Sequence, residues 1–232
     1  RCIFFLAIYK YSVTGIKSFS RHRKAYKYGY IILNTMKLNV WDLPHNKIYI
    51  RLSDKFVKNI LMKDNSYKRL SKKIEIPYSS VYSWCNKCIF PLSVIVKISL
   101  LFGINLDEIQ NNVVEVKSGR YPTKGGNLST PISPDFPIVE SKAIIRLLTH
   151  LLCDGCVTVN KKKHYNLQYY NQCKELREQF KTDARSIFGD VHIYEAVNKN
   201  TPYVFLPAPV SIIMLSLLPN FNSHECVIPQ SI

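Results

Sequence analysis

Asp154 occupies the position in this sequence that most invites chemistry. It follows the apolar run Ser141 to Cys153, which predicts a helix, and precedes Gly155, which ends it. A carboxylate at a helix C-terminus is disfavoured by the helix dipole. An acid placed there suggests a task, such as holding a cation. Thr149 and Cys153 are four residues apart and share a helix face. Both are small enough to let two helix backbones approach. The plain alternative is an ordinary Asp-Gly turn.

Other residues carry binding chemistry. Lys161, Lys162, Lys163 and His164 form a basic turn between two predicted strands, and Lys199 sits in another. Such turns can reach phosphates, although a solvated charged hairpin is the usual fate of a lysine run. Cys85-x-x-Cys88 and Cys153-x-x-Cys156 have the spacing of half zinc sites. A helix contact or strand start already explains each pair. The seven cysteines are an odd number without a secretory signal, which favours thiols over a disulfide framework.

The composition limits the partners. The 232 residues contain 32 Lys plus Arg against 16 Asp plus Glu, a net charge of +16. This favours a polyanion, either nucleic acid or an anionic membrane surface. The apolar stretch from Cys2 to Tyr9 is too short to span a bilayer and no small-residue cleavage site follows it, so a cytoplasmic location without membrane contact is expected. Residues 1–35 hold seven basic residues and no acid, so the remainder still carries +9. Met36 opens MKLNVWDLPHNKIYIRL, which reads like a protein start. Residues 1–35 are therefore read either as a non-native basic leader or as a phosphate-touching arm. The end at Ile232, without a charged tail, suggests truncation.

The elements that must position these residues fall into two sets. Residues 36–116 read as a helical bundle, 117–137 as a linker containing Pro122, Gly125, Gly126, Pro131, Pro134 and Pro137, and 138–232 as a mixed domain. A short helical pattern spans Asp54–Met62. Tyr67–Ile74 and Tyr78–Cys85 read as two helices joined by Glu75, Ile76 and Pro77, with Val81 and Trp84 facing inward. Leu92–Phe102 follows, ending at Gly103, and Asn105 or Asp107 can cap the next helix. After the Ser141–Cys153 helix come strands at Cys156–Asn160 and Tyr165–Tyr170. A helix at Asn171–Phe188 follows, with Leu176, Phe180, Ala184 and Ile187 on its apolar face. Strands at His192–Ala196 and Tyr203–Leu206 and a helix at Val210–Leu218 complete the order αββαββα. The expected class is α+β.

Two resemblances attach to these residues. RLSKKIEIPYSSVYSWCNKCIFPLSVIVKISLLFGINLDEI resembles the Cro/repressor type of helix-turn-helix domain. The resemblance implies that Tyr78–Cys85 enters the major groove, with Tyr78, Ser79, Ser80 and Ser83 facing DNA. Lys68, Arg69 and Lys87 would then reach phosphates. The family often has glycine where Cys88 stands. The helix offers no Arg, Asn or Gln before Asn86, so bidentate base readout would be poor. LLTHLLCDG, with the αββαββα order, resembles a single repeat of the LAGLIDADG homing endonucleases over about residues 138–221. That resemblance implies paired motif helices, a sheet saddle over double-stranded DNA, and a divalent metal such as Mg²⁺ held by Asp154, with Gly155 as the closing glycine. Leu148 departs from the usual alanine at a helix-contact position. The implied function is site-specific DNA endonuclease, with the second helix supplied by a homodimer or by a further repeat. The alternative is a transcription regulator that keeps the saddle for binding alone. An RNA-processing factor such as an intron maturase fits the helix-turn-helix less well.

Overall fold

The computed structural model describes residues 36–64, 66–119, 129–159, 165–198 and 200–217. All lie in one of the chain's two compact units, residues 31–232. The protein is of mixed helix and sheet, with small antiparallel sheets. The first elements are strand β1 (Lys37–Leu38), strand β2 (Ile48–Leu52) and helix α1 (Asp54–Asp64). The helix-turn-helix residues form α2 (Tyr67–Ile74) and α3 (Tyr78–Lys87). Next come β3 (Ile89–Pro91), α4 (Leu92–Phe102), α5 (Leu106–Gln110) and β4 (Val113–Ser118).

This N-terminal part is not all-helical, contrary to the expectation for residues 36–116. β2 lies between β3 and β4, with Tyr49 opposite Pro91 and Ile50 opposite both Phe90 and Val116. Ile48, Ile50, Leu52 and Phe90 are buried. The strands are too short to show a period, so only their long-range pairing reveals them.

Local chemistry sets the helix ends. The Ser66 side chain accepts from the Lys68 backbone N–H, capping α2. Such a cap contributes about 1 kcal/mol. Asn105 caps α5 by accepting from the Asp107 N–H at 2.9 Å. α4 ends where Gly103 turns left-handed, φ 61°.

The segment read as a linker is tied down where it is described. The backbones of Ile132 and Val116 exchange two hydrogen bonds, at 2.7 and 3.0 Å, and Ile132 is buried. The Ser133 N–H donates to the Phe188 carbonyl. Strand β5 (Ile138–Val139) pairs with β1 at the start of the described chain. One apolar core therefore runs from Leu38 to Met214 across the expected domain boundary. Alternating apolar residues among the prolines, Ile132 and Ile138, supply the anchoring that their Pro-rich composition hides.

The C-terminal part contains α6 (Lys142–Asp154), β6 (Gly155–Val159), β7 (Tyr165–Tyr170), α7 (Lys174–Phe188), β8 (Tyr194–Asn198), β9 (Thr201–Leu206) and α8 (Ala208–Leu217). The sheet order is β6-β7-β9-β8, all antiparallel. Leu167, Tyr169, Val204 and Leu206 alternate along β7 and β9 and are buried together with Leu147, Phe180, Phe188 and Ile213 from the helices. On α7, Leu176 is exposed rather than inward-facing. The buried stripe instead begins at Arg177, which donates to the carbonyls of Asn171 and Gln172 and to Glu195. The arginine stem covers the core while its head satisfies polar groups. Leu148 is buried in the chain's own core.

Candidate nucleic-acid interface

The first candidate surface is the outer side of α2 and α3. Val81 and Cys85 are buried, and Trp84 is half-buried against the same core. Their spacing turns the opposite side of α3 to solvent. Tyr78 and Ser79 are exposed, Ser80 and Ser83 half-buried. Lys68, Arg69 and Lys87 are exposed, so the predicted side chains of α2 and α3 lie on an accessible surface. Neither helix contains an acid. Glu75, in the turn between them, is paired with Lys97 at 3.1 Å. The surface is therefore basic and hydroxyl-rich, which suits a polyanion.

Tyr82 escaped the sequence reading. It is 46 % exposed and stacks on Tyr78, centroids 6.0 Å apart, while Tyr67 meets it edge-on at 5.5 Å. The four-residue spacing of Tyr78 and Tyr82 was the available signal. The junction after α3 is made by Cys88, which adopts the left-handed conformation at φ 53° and closes the helix through its N–H to Cys85 and Trp84 carbonyls. The turn that favours glycine is thus formed with a cysteine in place. Burial pushes the Cys85 thiol up to about 12, with Cys88 adding to the rise. Cys85 stays protonated and packs as a small apolar group.

The second candidate surface is the end of α6. Asp154 is the last helical residue and is exposed. Its Oδ2 accepts from Asn171 Nδ2 at 3.0 Å. The Asn171 carbonyl oxygen atoms are in turn occupied: Oδ1 accepts from the Cys173 N–H, and the backbone oxygen from Arg177. Asn171 is expected from the sequence only as the start of α7, which instead begins at Lys174. The register that pairs Gly155 with Tyr169 brings Asn171 beside Asp154, and register is invisible in a single strand's composition. Tyr169 is fully buried, with Asn171 beside its hydroxyl. Burial raises its phenol to about 12, and the Asp154 charge adds to this. Burial also raises the Cys153 thiol, again helped by Asp154.

Gly155 starts β6 with an extended backbone, φ −85° and ψ 152°. A Cβ there would lie 2.1 Å from the Leu151 carbonyl oxygen. Glycine is needed at this position for close approach. Along the solvent side of α6, Ile145 and Thr149 are half-buried and Cys153 exposed, one turn apart. The Thr149 hydroxyl donates back to the Ile145 carbonyl. This is a narrow stripe of modest bulk ending at Asp154.

The donor set for a cation in one chain is the Asp154 carboxylate with a neutral amide beside it. Mg²⁺ takes six oxygens and can retain several waters, so this one carboxylate would leave most of its coordination positions to other groups or to water. Among the described residues, no group of three or more His, Cys, Asp or Glu stands in metal-binding proximity. Cys85 and Cys88 lie at the end of α3, and Cys153 and Cys156 at the α6–β6 junction.

The third surface is the sheet face opposite the helices. Cross-strand pairing aligns Cys156, Gln168, Phe205 and Tyr194 in one row, and Tyr170, Tyr203 and Ala196 in the next. Tyr170 stacks with Tyr203 at 5.0 Å and Tyr194 with Phe205 at 4.6 Å. Glu195 points the other way, to Arg177 and Lys181 on α7. This face is accordingly aromatic and amide-bearing, with no charged side chain in either row. The predicted phosphate contacts Lys161, Lys162, Lys163, His164 and Lys199 lie outside the described residues. Among the described residues, no helix is long and apolar enough to cross a membrane. No protein-family model matches this sequence, and no curated protein matches it.

Proposed function

We propose that this protein binds double-stranded DNA through α2–α3 and acts as a homing-type endonuclease, with Asp154 supplying half of a Mg²⁺ site. The observation that carries the DNA-binding reading is the α2–α3 surface. Its two helices contain no acid, it bears Lys68, Arg69 and Lys87, and it is mounted on the buried Val81 and Cys85. A helix held this way can lie in a major groove, with Tyr78, Ser79, Ser80 and Ser83 toward base edges and the basic residues at phosphates. The aromatic, amide-bearing rows described on the sheet face would offer a second contact along the duplex.

Cleavage rests on the end of α6. The exposed Asp154 carboxylate keeps one oxygen bonded to Asn171, which orients it. The Ile145–Thr149–Cys153 stripe suits packing against another α6, from a homodimer or a further repeat. The bound metal would activate water and neutralise charge at the scissile phosphate. The contribution of this chain's residues is to hold and aim the carboxylate. A regulator that binds without cutting is the second reading. The single acid at the α6 end favours it, because one chain offers only half a site.

Incubating the full chain with a random duplex library and Mg²⁺ separates the two. Recovery of cut ends that disappear with Asp154→Ala supports the nuclease. Retention of DNA without cutting supports the regulator. Absence of binding overturns both.

A further inference from the structure

From the exposed tyrosine pair on α3, we infer that this helix selects DNA by apolar contact with thymine methyl groups. The inference rests on the DNA-binding reading above and specifies what that surface prefers. Base discrimination in the major groove comes from bidentate polar contacts or from apolar contact with the thymine C5-methyl. The exposed side of α3 has little of the first. Its forward turns carry Tyr78, Ser79, Ser80, Tyr82 and Ser83, without Arg, Gln or Asn. Hydroxyls accept and donate alike, so the serines discriminate weakly.

The second means is well supplied. Tyr78 is 51 % and Tyr82 46 % exposed, the two rings lie 26° from parallel, and Tyr67 braces Tyr82 from the side. Ring-on-ring packing limits the rotamers of both tyrosines before any ligand arrives, so little side-chain entropy remains to be lost on binding. Apolar ring surface left in water on helices that carry basic residues and no acid suits an occupant that is both anionic and locally apolar. The thymine methyl is the apolar feature of the major groove. Tyr78 and Tyr82 thus form a methyl-reading pair, while Lys68, Arg69 and Lys87 set the register on phosphates.

The test uses the full-length chain and a duplex selected from a random library by retention on it. Each thymine within the protected footprint is replaced by uracil, which removes the methyl and keeps the pairing edge. Burial of one methyl corresponds to roughly fourfold in affinity. The expected result is a loss of about that size per contacted thymine, and no such loss with the Tyr78→Ala/Tyr82→Ala variant. Both side chains are exposed, so this variant should retain the fold, which circular dichroism checks. Equal affinity of the parent chain for thymine and uracil duplexes would overturn the inference and leave DNA binding intact. A thymine–uracil difference that persists in the double variant would also overturn it. Failure to retain any duplex would overturn the underlying DNA-binding reading.

Discussion

At the residue scale, Gly155 is where substitution should matter most to folding. The obstacle is the Leu151 backbone oxygen, 2.1 Å from where a Cβ would sit. Backbone cannot swing aside as a long side chain can, so the α6–β6 junction must shift. Gly155→Ala should cost about 3 kcal/mol, read as a lower urea midpoint with an unchanged slope. Asp154 needs no such room, and Asp154→Ala should leave the midpoint nearly unaltered. His150 provides a pH signature. It sits against Tyr169 and Phe180, and burial holds its pKa below the usual value, against a smaller upward pull from Asp183 and Asp154. Above pH ~6.5 both folded and unfolded chains carry the neutral ring and stability is complete. As pH falls through that value the unfolded chain takes the proton first, so stability is lost down to the folded pKa. Urea midpoints of His150→Phe should therefore fall less between pH 7.5 and pH 5 than those of the parent. An equal fall would contradict the assignment.

At the element scale, α6 and α7 are joined by a charge pair as well as by apolar contact. Arg146 grips Asp183 with two nitrogens, Nε at 2.8 Å from Oδ2 and Nη2 on Oδ1, and Gln179 adds a third bond. The Asp183 carboxylate is buried whereas Arg146 is partly exposed. Removing the acid leaves a cation that water can still reach, so the penalty falls below that of a fully buried pair. Asp183→Ala should cost about 2 kcal/mol, measurable by thermal or urea unfolding. Because α6 carries Asp154, loosening this contact should also reduce any cleavage more than it reduces DNA retention. Helix periodicity made α2, α4 and α6 legible to within a residue. It misjudged α7, whose inward face begins with the charged Arg177, because apolar spacing cannot register an arginine that is buried through its hydrogen bonds.

At the scale of the whole molecule, the charge excess predicts that the proposed DNA binding is sensitive to salt. Each phosphate contact releases condensed counterions, with a slope of roughly −0.9 in log K against log salt. The Lys68→Ala/Arg69→Ala variant should flatten the slope by about two while weakening all duplexes alike. Fluorescence anisotropy over a range of KCl concentrations would measure this, and an unchanged slope would remove both residues from the contact. The shared core predicts a single cooperative unfolding transition for residues 36–217. Ile132, Ile138 and the β1–β5 pair tie the parts together where the composition announces a linker.

The sequence by itself determined the local features: most helix spans, the stop at Gly103, a cap at Asn105 or Asp107, and the αββαββα order from α6 onward. These depend on contacts three or four residues apart or on strict alternation, which a linear chain displays directly. It also marked Asp154 and the exposed surface of α3. Only the tertiary structure decided that β2 pairs with β3 and β4, that Asn171 reaches Asp154, and that Tyr67 of α2 braces Tyr82 of α3. Strand register and the docking of distant segments arise from the joint burial of side chains far apart in the chain, and no local pattern encodes them.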